Sequence, residues 1–266
     1  MTLSPSDLVL CAATLPTASF RERAAAAAAA GFRGISLFVE HYRRARAEGF
    51  SDADLRAILA DHGLVVADVD PLLTWLPGVE RVNAFFEADE ADFYEVADAL
   101  RARSLNCAVV VPLALDAVAD AFAGLCERAA RHGLLVHLEF LPWTCVPDLA
   151  TALRVVESAG HGGITLDAWH HFRSGGSSGA LPVERILSVQ LCDAPAAAEA
   201  DPIEETLHRR LLPGAGALDL VGLLRALRGS PAPLGVEIFS DALAVLPPLE
   251  AARRAGEAVR SVLARV

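Results

Sequence analysis

The chain has 266 residues, 53% of them hydrophobic, and a formal net charge of −11. That length suits one α/β domain with a large core, and the acidity excludes the basic surface that neutralises nucleic-acid phosphates. All 23 basic residues are arginine, so chemistry that needs a lysine amine is excluded: a Schiff base, a pyridoxal-phosphate anchor, a Walker-type phosphate loop.

Taken in chain order, apolar runs that read as strands lie at 8–15, 34–39, 65–71, 106–113, 134–141, 163–169, 187–193 and 234–240. Amphipathic stretches that read as helices lie at 19–31, 51–62, 89–104, 116–132, 146–159, near 182–186, at 218–229 and at 248–265. Ser51 with Asp54 reads as an N-terminal cap, and Gly31, Gly63, Gly133 and Gly160 stand where helices stop. Strict alternation predicts a parallel sheet with right-handed crossovers. At this length it closes as a single α/β (β/α)8 TIM barrel over residues 1–266. An open doubly wound sheet is the alternative, disfavoured because no GxGxxG follows the first strand.

Two segments break the rhythm: 173–180 (RSGGSSGA) and the long connection 194–216 containing HRRLLPGAG. Long loops in a compact domain usually carry function, and both fall on the C-terminal face, where sites of this fold lie. The five cysteines are scattered with no CxxC pair, which argues against a disulfide framework or a thiolate metal site. No apolar run reaches the roughly 18 residues of a membrane span, and the start lacks a signal-peptide pattern. The expected location is cytoplasmic, with no membrane and no nucleic-acid partner.

Four late strands each carry one metal-seeking polar residue. They read LLVHLEF with Glu139, GGITLDAWH with Asp167, ILSVQLCD with Gln190 and PLGVEIFS with Glu237. A carboxylate in a doubly buried strand costs several kcal/mol if charged and unpaired. One cation shared by the four side chains answers that cost; a buried polar network across the barrel mouth is the alternative. The all-oxygen set predicts one divalent ion, Mg²⁺ or Mn²⁺, with Co²⁺ and Zn²⁺ as alternatives. His170, three residues after Asp167, is a candidate acid/base; His171 ranks below it, and His137 reads as a core histidine one layer deeper. Arg209 and Arg210 read either as a solvated pair or as an anion clamp, with His208 beside them. Trp75 and Trp143 are expected to wall the pocket, and Asp68 and Asp70 to meet a substrate hydroxyl.

Across the whole chain, and best over 134–248, the segments LEFLPW, ITLDAWHHFRSGG, VQLCDAPA, RRLLPGAGALDL and VEIFSDAL resemble the xylose-isomerase-like barrel superfamily, close to bacterial 3-dehydroshikimate dehydratases. The resemblance implies that Glu139, Asp167, Gln190 and Glu237 hold the metal. It implies that His170 of LDxxH is catalytic and that Arg210 binds substrate. Gln190, where most epimerases have His, favours the dehydratase branch. One departure counts against that exact activity: the dehydratases carry a carboxylate-binding arginine after strand three, and DPLLTWLPG here has none.

The expected activity is therefore a lyase or isomerase acting on a small hydroxy-ketone. His170, Glu139 or Glu237 takes the α-proton and the metal stabilises the enediolate. Keto-sugar isomerisation or epimerisation shares the first step. An endonuclease of the superfamily conflicts with the acidity. A catalytically silent partner barrel predicts a lost ligand, and none is lost. The apolar end SVLARV serves either core packing or a homo-oligomer.

Overall fold

The eight apolar runs form eight parallel strands closed in chain order into one barrel: β1 (Leu8–Leu10), β2 (Gly34–Leu37), β3 (Val65–Leu72), β4 (Ser104–Ala108), β5 (Leu135–Glu139), β6 (Gly163–Asp167), β7 (Ile186–Leu191) and β8 (Leu234–Val236). The computed structural model describes residues 3–77, 79 and 87–266; Gly78, at the end of DPLLTWLPG, lies outside them.

The helices are α1 (Phe20–Ala29), α2 (Val39–Ala47), α3 (Asp52–Asp61), α4 (Glu90–Leu100), α5 (Leu115–Ala130), α6 (Leu149–Ala159), α7 (Ala168–Arg173), α8 (Pro202–His208), α9 (Leu220–Ala226), α10 (Asp241–Ala244) and α11 (Pro248–Leu263). Four of these correct the sequence reading, the shortest being α10, which follows β8 where no helix was expected. α2 (VEHYRRARA) carries so many arginines that its apolar stripe, Val39, Tyr42 and Ala45, is too thin to stand out as a pattern. α7 follows β6 directly because the Asp167 side chain accepts from the His170 backbone N–H at 2.8 Å and caps the helix. α8 sits inside the expected β7–β8 loop and starts on an Asp201 cap with Pro202 at its first position. The short helix expected near 182–186 is a single 3-10 turn, Val183–Arg185.

Other local signals hold. Ser51 and Asp54 make a reciprocal cap at the start of α3. Ser51→Ala removes it and is expected to lower stability by about 1 kcal/mol, read by chemical denaturation. Gly31, Gly63, Gly133 and Gly160 all adopt positive φ at helix ends. The apolar residues of α11 face inward, with Val259 and Val262 buried, so core packing accounts for SVLARV.

Branched aliphatic residues usually fill such a barrel. Here the interior is polar. Ser104 and His137 both bond to Asp68, His137 through Nε2 at 2.8 Å, while Thr165 meets His137 Nδ1 at 2.6 Å. All four are buried. His137 thus takes the deeper layer expected of it. Its strand partner is Asn106, and the next inward pair up is Ala108 with Glu139. Asp68, expected at a substrate hydroxyl, is a floor residue instead, because its carboxylate is taken up by this network.

Candidate active site

Strand alternation and register bring the four predicted side chains to one end of the barrel. Asp167 pairs with Gln190 across β6–β7, and Gln190 with Gly235 across β7–β8, two residues before Glu237. Glu139 pairs with Thr165, two residues below Asp167. All four side chains are buried.

Arg210 lies among them. Its Nη1 donates to Asp167 Oδ2 at 2.6 Å and to Glu237 Oε2 at 3.3 Å. Nε and Nη2 donate to the Thr206 hydroxyl at 3.2 and 2.7 Å, so all three guanidinium nitrogens have partners. The β7–β8 connection makes this placement. Leu211 pairs with Asp193, and Arg210 N–H donates to the Phe239 carbonyl at 2.9 Å. The PGAG turn is pinned beneath: Asp193 accepts from Gly214 and Leu218 backbone N–H groups at 2.9 and 3.0 Å. Gly216 must stay glycine, since a Cβ there would meet the Ala194 carbonyl oxygen at 2.3 Å. Arg209, one residue earlier, points the other way. It is exposed and paired with Glu199 and Glu204.

His170 is buried on α7, with Nε2 3.4 Å from both Glu139 Oε1 and Arg210 Nη2. Its Nδ1 has no hydrogen-bond partner among the described residues. Trp143 and Trp169 stand edge-on to its ring at 5.5 and 5.2 Å. Burial, set against the nearby Asp167 charge, holds the imidazole down at about 4, so it is neutral at pH 7. Burial also acts on the carboxylates, but with different outcomes. Glu139 is pushed up to about 7 by burial and by the Asp167 charge. Glu237 is raised well above the usual range by burial, with Glu139 and Asp167 adding to it against Arg210. For Asp167, burial is outweighed by Arg210 and His170, and the group stays ionised.

The residues fit a hard divalent cation. Glu139, Asp167 and His170 offer ligand atoms within 4.8 Å of one another. Gln190 donates through Nε2 to Glu237 Oε1 at 3.1 Å, and its own buried Oε1 has no partner among the described residues. A buried orphan acceptor beside crowded carboxylates is the arrangement a dication completes. The geometry also draws His170 into the cluster that the sequence reading assigned to oxygen ligands alone. Because the raised Glu139 and Glu237 must both lose their protons to bind metal, affinity is expected to rise as pH climbs through about 7 and to keep rising above it. Calorimetric titration with Mn²⁺ in buffers of different ionisation enthalpy measures both the trend and the proton released.

The pocket above this floor has a volume of about 440 Å³. Asp70, Trp143, His170, Gln190, Arg210 and Glu237 reach it. Three predicted substrate residues do not line it. Trp75 turns into the core, where its Nε1 donates to the Ala108 carbonyl at 2.8 Å and its ring meets Phe122. His208 is exposed and bonded to Asp241 at 3.0 Å, and Arg209 is held by its two glutamates. Sequence reasoning also missed Asn106, which donates to Glu139 Oε2 at 2.7 Å, and Thr206, which holds Arg210. The signal for Asn106 was a polar residue inside an apolar strand, the same one that marked the other four.

A model of the xylose isomerase-like TIM barrel family matches residues 24–262. The chain belongs to that family. The 3-dehydroshikimate dehydratase of Pseudomonas aeruginosa is 33% identical over 242 residues, covering 85% of this chain and 37% of the relative. The Pseudomonas putida protein of the same name is 29% identical over 255 residues, 91% of this chain and 39% of the relative. The chain therefore spans under two-fifths of the length of these curated relatives. The crystal structure of the IolI protein with a bound zinc atom superposes with a TM-score of 0.85, covering 97% of this chain and 98% of that one at 19% identity. Among the described residues no helix is long and apolar enough to cross a membrane.

Proposed function

We propose that this chain is a divalent-metal-dependent enzyme that removes the α-proton of a small hydroxy-ketone, with dehydration of the 3-dehydroshikimate dehydratase type as the leading reaction. The observation that carries this is the convergence of Glu139, Asp167, Gln190 and Glu237 with His170 on one buried floor, where the Gln190 Oε1 lacks a partner. When bound, the metal supplies positive charge that favours the enediolate over the ketone. Glu139, Asp167, Gln190 and Glu237 are the residues that hold it. Their all-oxygen donors suit Mg²⁺ or Mn²⁺.

The protein groups divide the proton work. His170, neutral at pH 7, accepts the α-proton. Asp167 stays ionised and caps α7, which fixes the ring. Glu139, raised to about 7, gives up its proton when it takes the metal, so the proton held by His170 is the one passed on. For dehydration, that proton leaves with the substrate hydroxyl as water. Returning it to carbon gives isomerisation or epimerisation instead. A small-molecule substrate fits a pocket of about 440 Å³, and the net charge of −11 speaks against a nucleic-acid partner.

The test is solvent exchange. Chelator-stripped protein is incubated in D₂O with 3-dehydroshikimate or 2-hydroxycyclohexanone, with and without Mg²⁺, Mn²⁺ or Co²⁺. Deuterium uptake is followed by NMR and protocatechuate by absorbance. Metal-restored exchange that is lost in Glu237→Gln supports the reading. Exchange indifferent to metal and to Glu237 overturns it.

A further inference from the structure

The polar groups of the pocket lie at its floor, and the walls above them are hydrocarbon. Phe38, Leu73, Val110, Leu141, Trp143 and Leu207 come from different strand ends, loops and α8, and face the same space. Trp143 and Ile203 also line it and remain 39% and 47% exposed, two of the few large apolar side chains left open to water among the described residues. Exposed apolar surface around a pocket mouth marks what a ligand covers.

The charge balance points the same way. Arg210 is the one cation among the described lining residues, and its guanidinium is committed to Asp167, Glu237 and Thr206. Glu139, Asp167 and Glu237 against one guanidinium and one dication come to neutrality, and Asp70 on the same lining is a further carboxyl, so the described residues leave no positive charge for an acidic substrate. A carboxylate set against these walls loses its hydration with nothing to replace it. A polyol loses hydroxyl hydrogen bonds in the same way. Leu73 stands in the stretch after β3 that carries no arginine through residue 77.

We infer that the substrate is a hydroxy-ketone with an uncharged hydrocarbon body, neither a carboxylic acid nor a sugar. The keto and hydroxyl oxygens face the floor, and the body lies between Leu73, Leu141 and Trp143. This rests on the metal-dependent reading above.

Two catechols that differ in one substituent, with a keto-sugar beside them, test it. Mn²⁺ affinity is first measured by calorimetry. The Mn²⁺-loaded protein is then titrated with 4-methylcatechol, protocatechuate and fructose. The expected result is at least tenfold tighter binding of 4-methylcatechol than of the other two. Leu73→Arg should bring protocatechuate level with it or ahead. Protocatechuate or fructose binding as tightly as 4-methylcatechol to the unaltered protein overturns the inference and leaves the metal reading intact. Failure to bind Mn²⁺, or Mn²⁺ binding with no diol bound, overturns both. If Leu73→Arg does not fold, the comparison on the unaltered protein still decides.

Discussion

His170→Gln is expected to lower metal-dependent α-proton exchange by about 10²–10⁴-fold, the usual contribution of a positioned acid/base. Glutamine keeps a polar side chain of similar reach but cannot accept a proton at neutral pH. The native imidazole can, because burial holds it at about 4 and its Nδ1 has no partner. The discriminating readout is Mn²⁺ affinity in the same variant. A proton-transfer role leaves it within a few-fold of the unaltered protein. A ligand role, which the closeness of His170 to Glu139 and Asp167 raises as a rival, drops it together with the exchange rate. Loss of both moves His170 into the ligand set, and loss of neither removes it from the chemistry.

Arg210→Met carries the second large effect, and it concerns stability. The guanidinium is 2% exposed and pairs with Asp167 and Glu237, which are buried with it. Removing one partner of a buried ionic cluster leaves uncompensated charge, which typically costs about 3–5 kcal/mol. The metal-free variant should therefore unfold at clearly lower denaturant than the metal-free native protein. Saturating Mn²⁺ should recover part of the gap, because the dication supplies the positive charge that the variant lacks and binds only the folded chain. A variant as stable as the native protein without metal would mean that the carboxylates are already protonated and that the guanidinium serves substrate alone.

The two effects share one feature of the site. The floor carries more negative charge than its single arginine can balance, and protonation of Glu139 and Glu237 relieves the excess when no metal is present. Metal uptake, proton release and stability are therefore expected to be linked in this chain. Measurements at one pH or one metal concentration will report only part of that linkage.

Length, strand–helix alternation and the four polar residues inside apolar strands determined the barrel and its floor from sequence alone. Strand alternation is local, and a carboxylate in a doubly buried strand is costly enough to demand an explanation. Glu139, Asp167, Gln190 and Glu237 therefore declared their shared direction, and the cation proposed for them follows from the same cost. Tertiary structure alone decided how the loop residues are used. Past a strand end no periodicity governs side-chain direction, so Trp75 and Trp143 looked alike, yet one fills the core and the other lines the pocket. Arg209 and Arg210 are neighbours in the chain, but the pairing of Leu211 with Asp193 turns Arg210 onto Asp167 and sends Arg209 to solvent. The apolar walls have the same origin. They come from loops far apart in sequence, and only closure of the barrel makes them one surface.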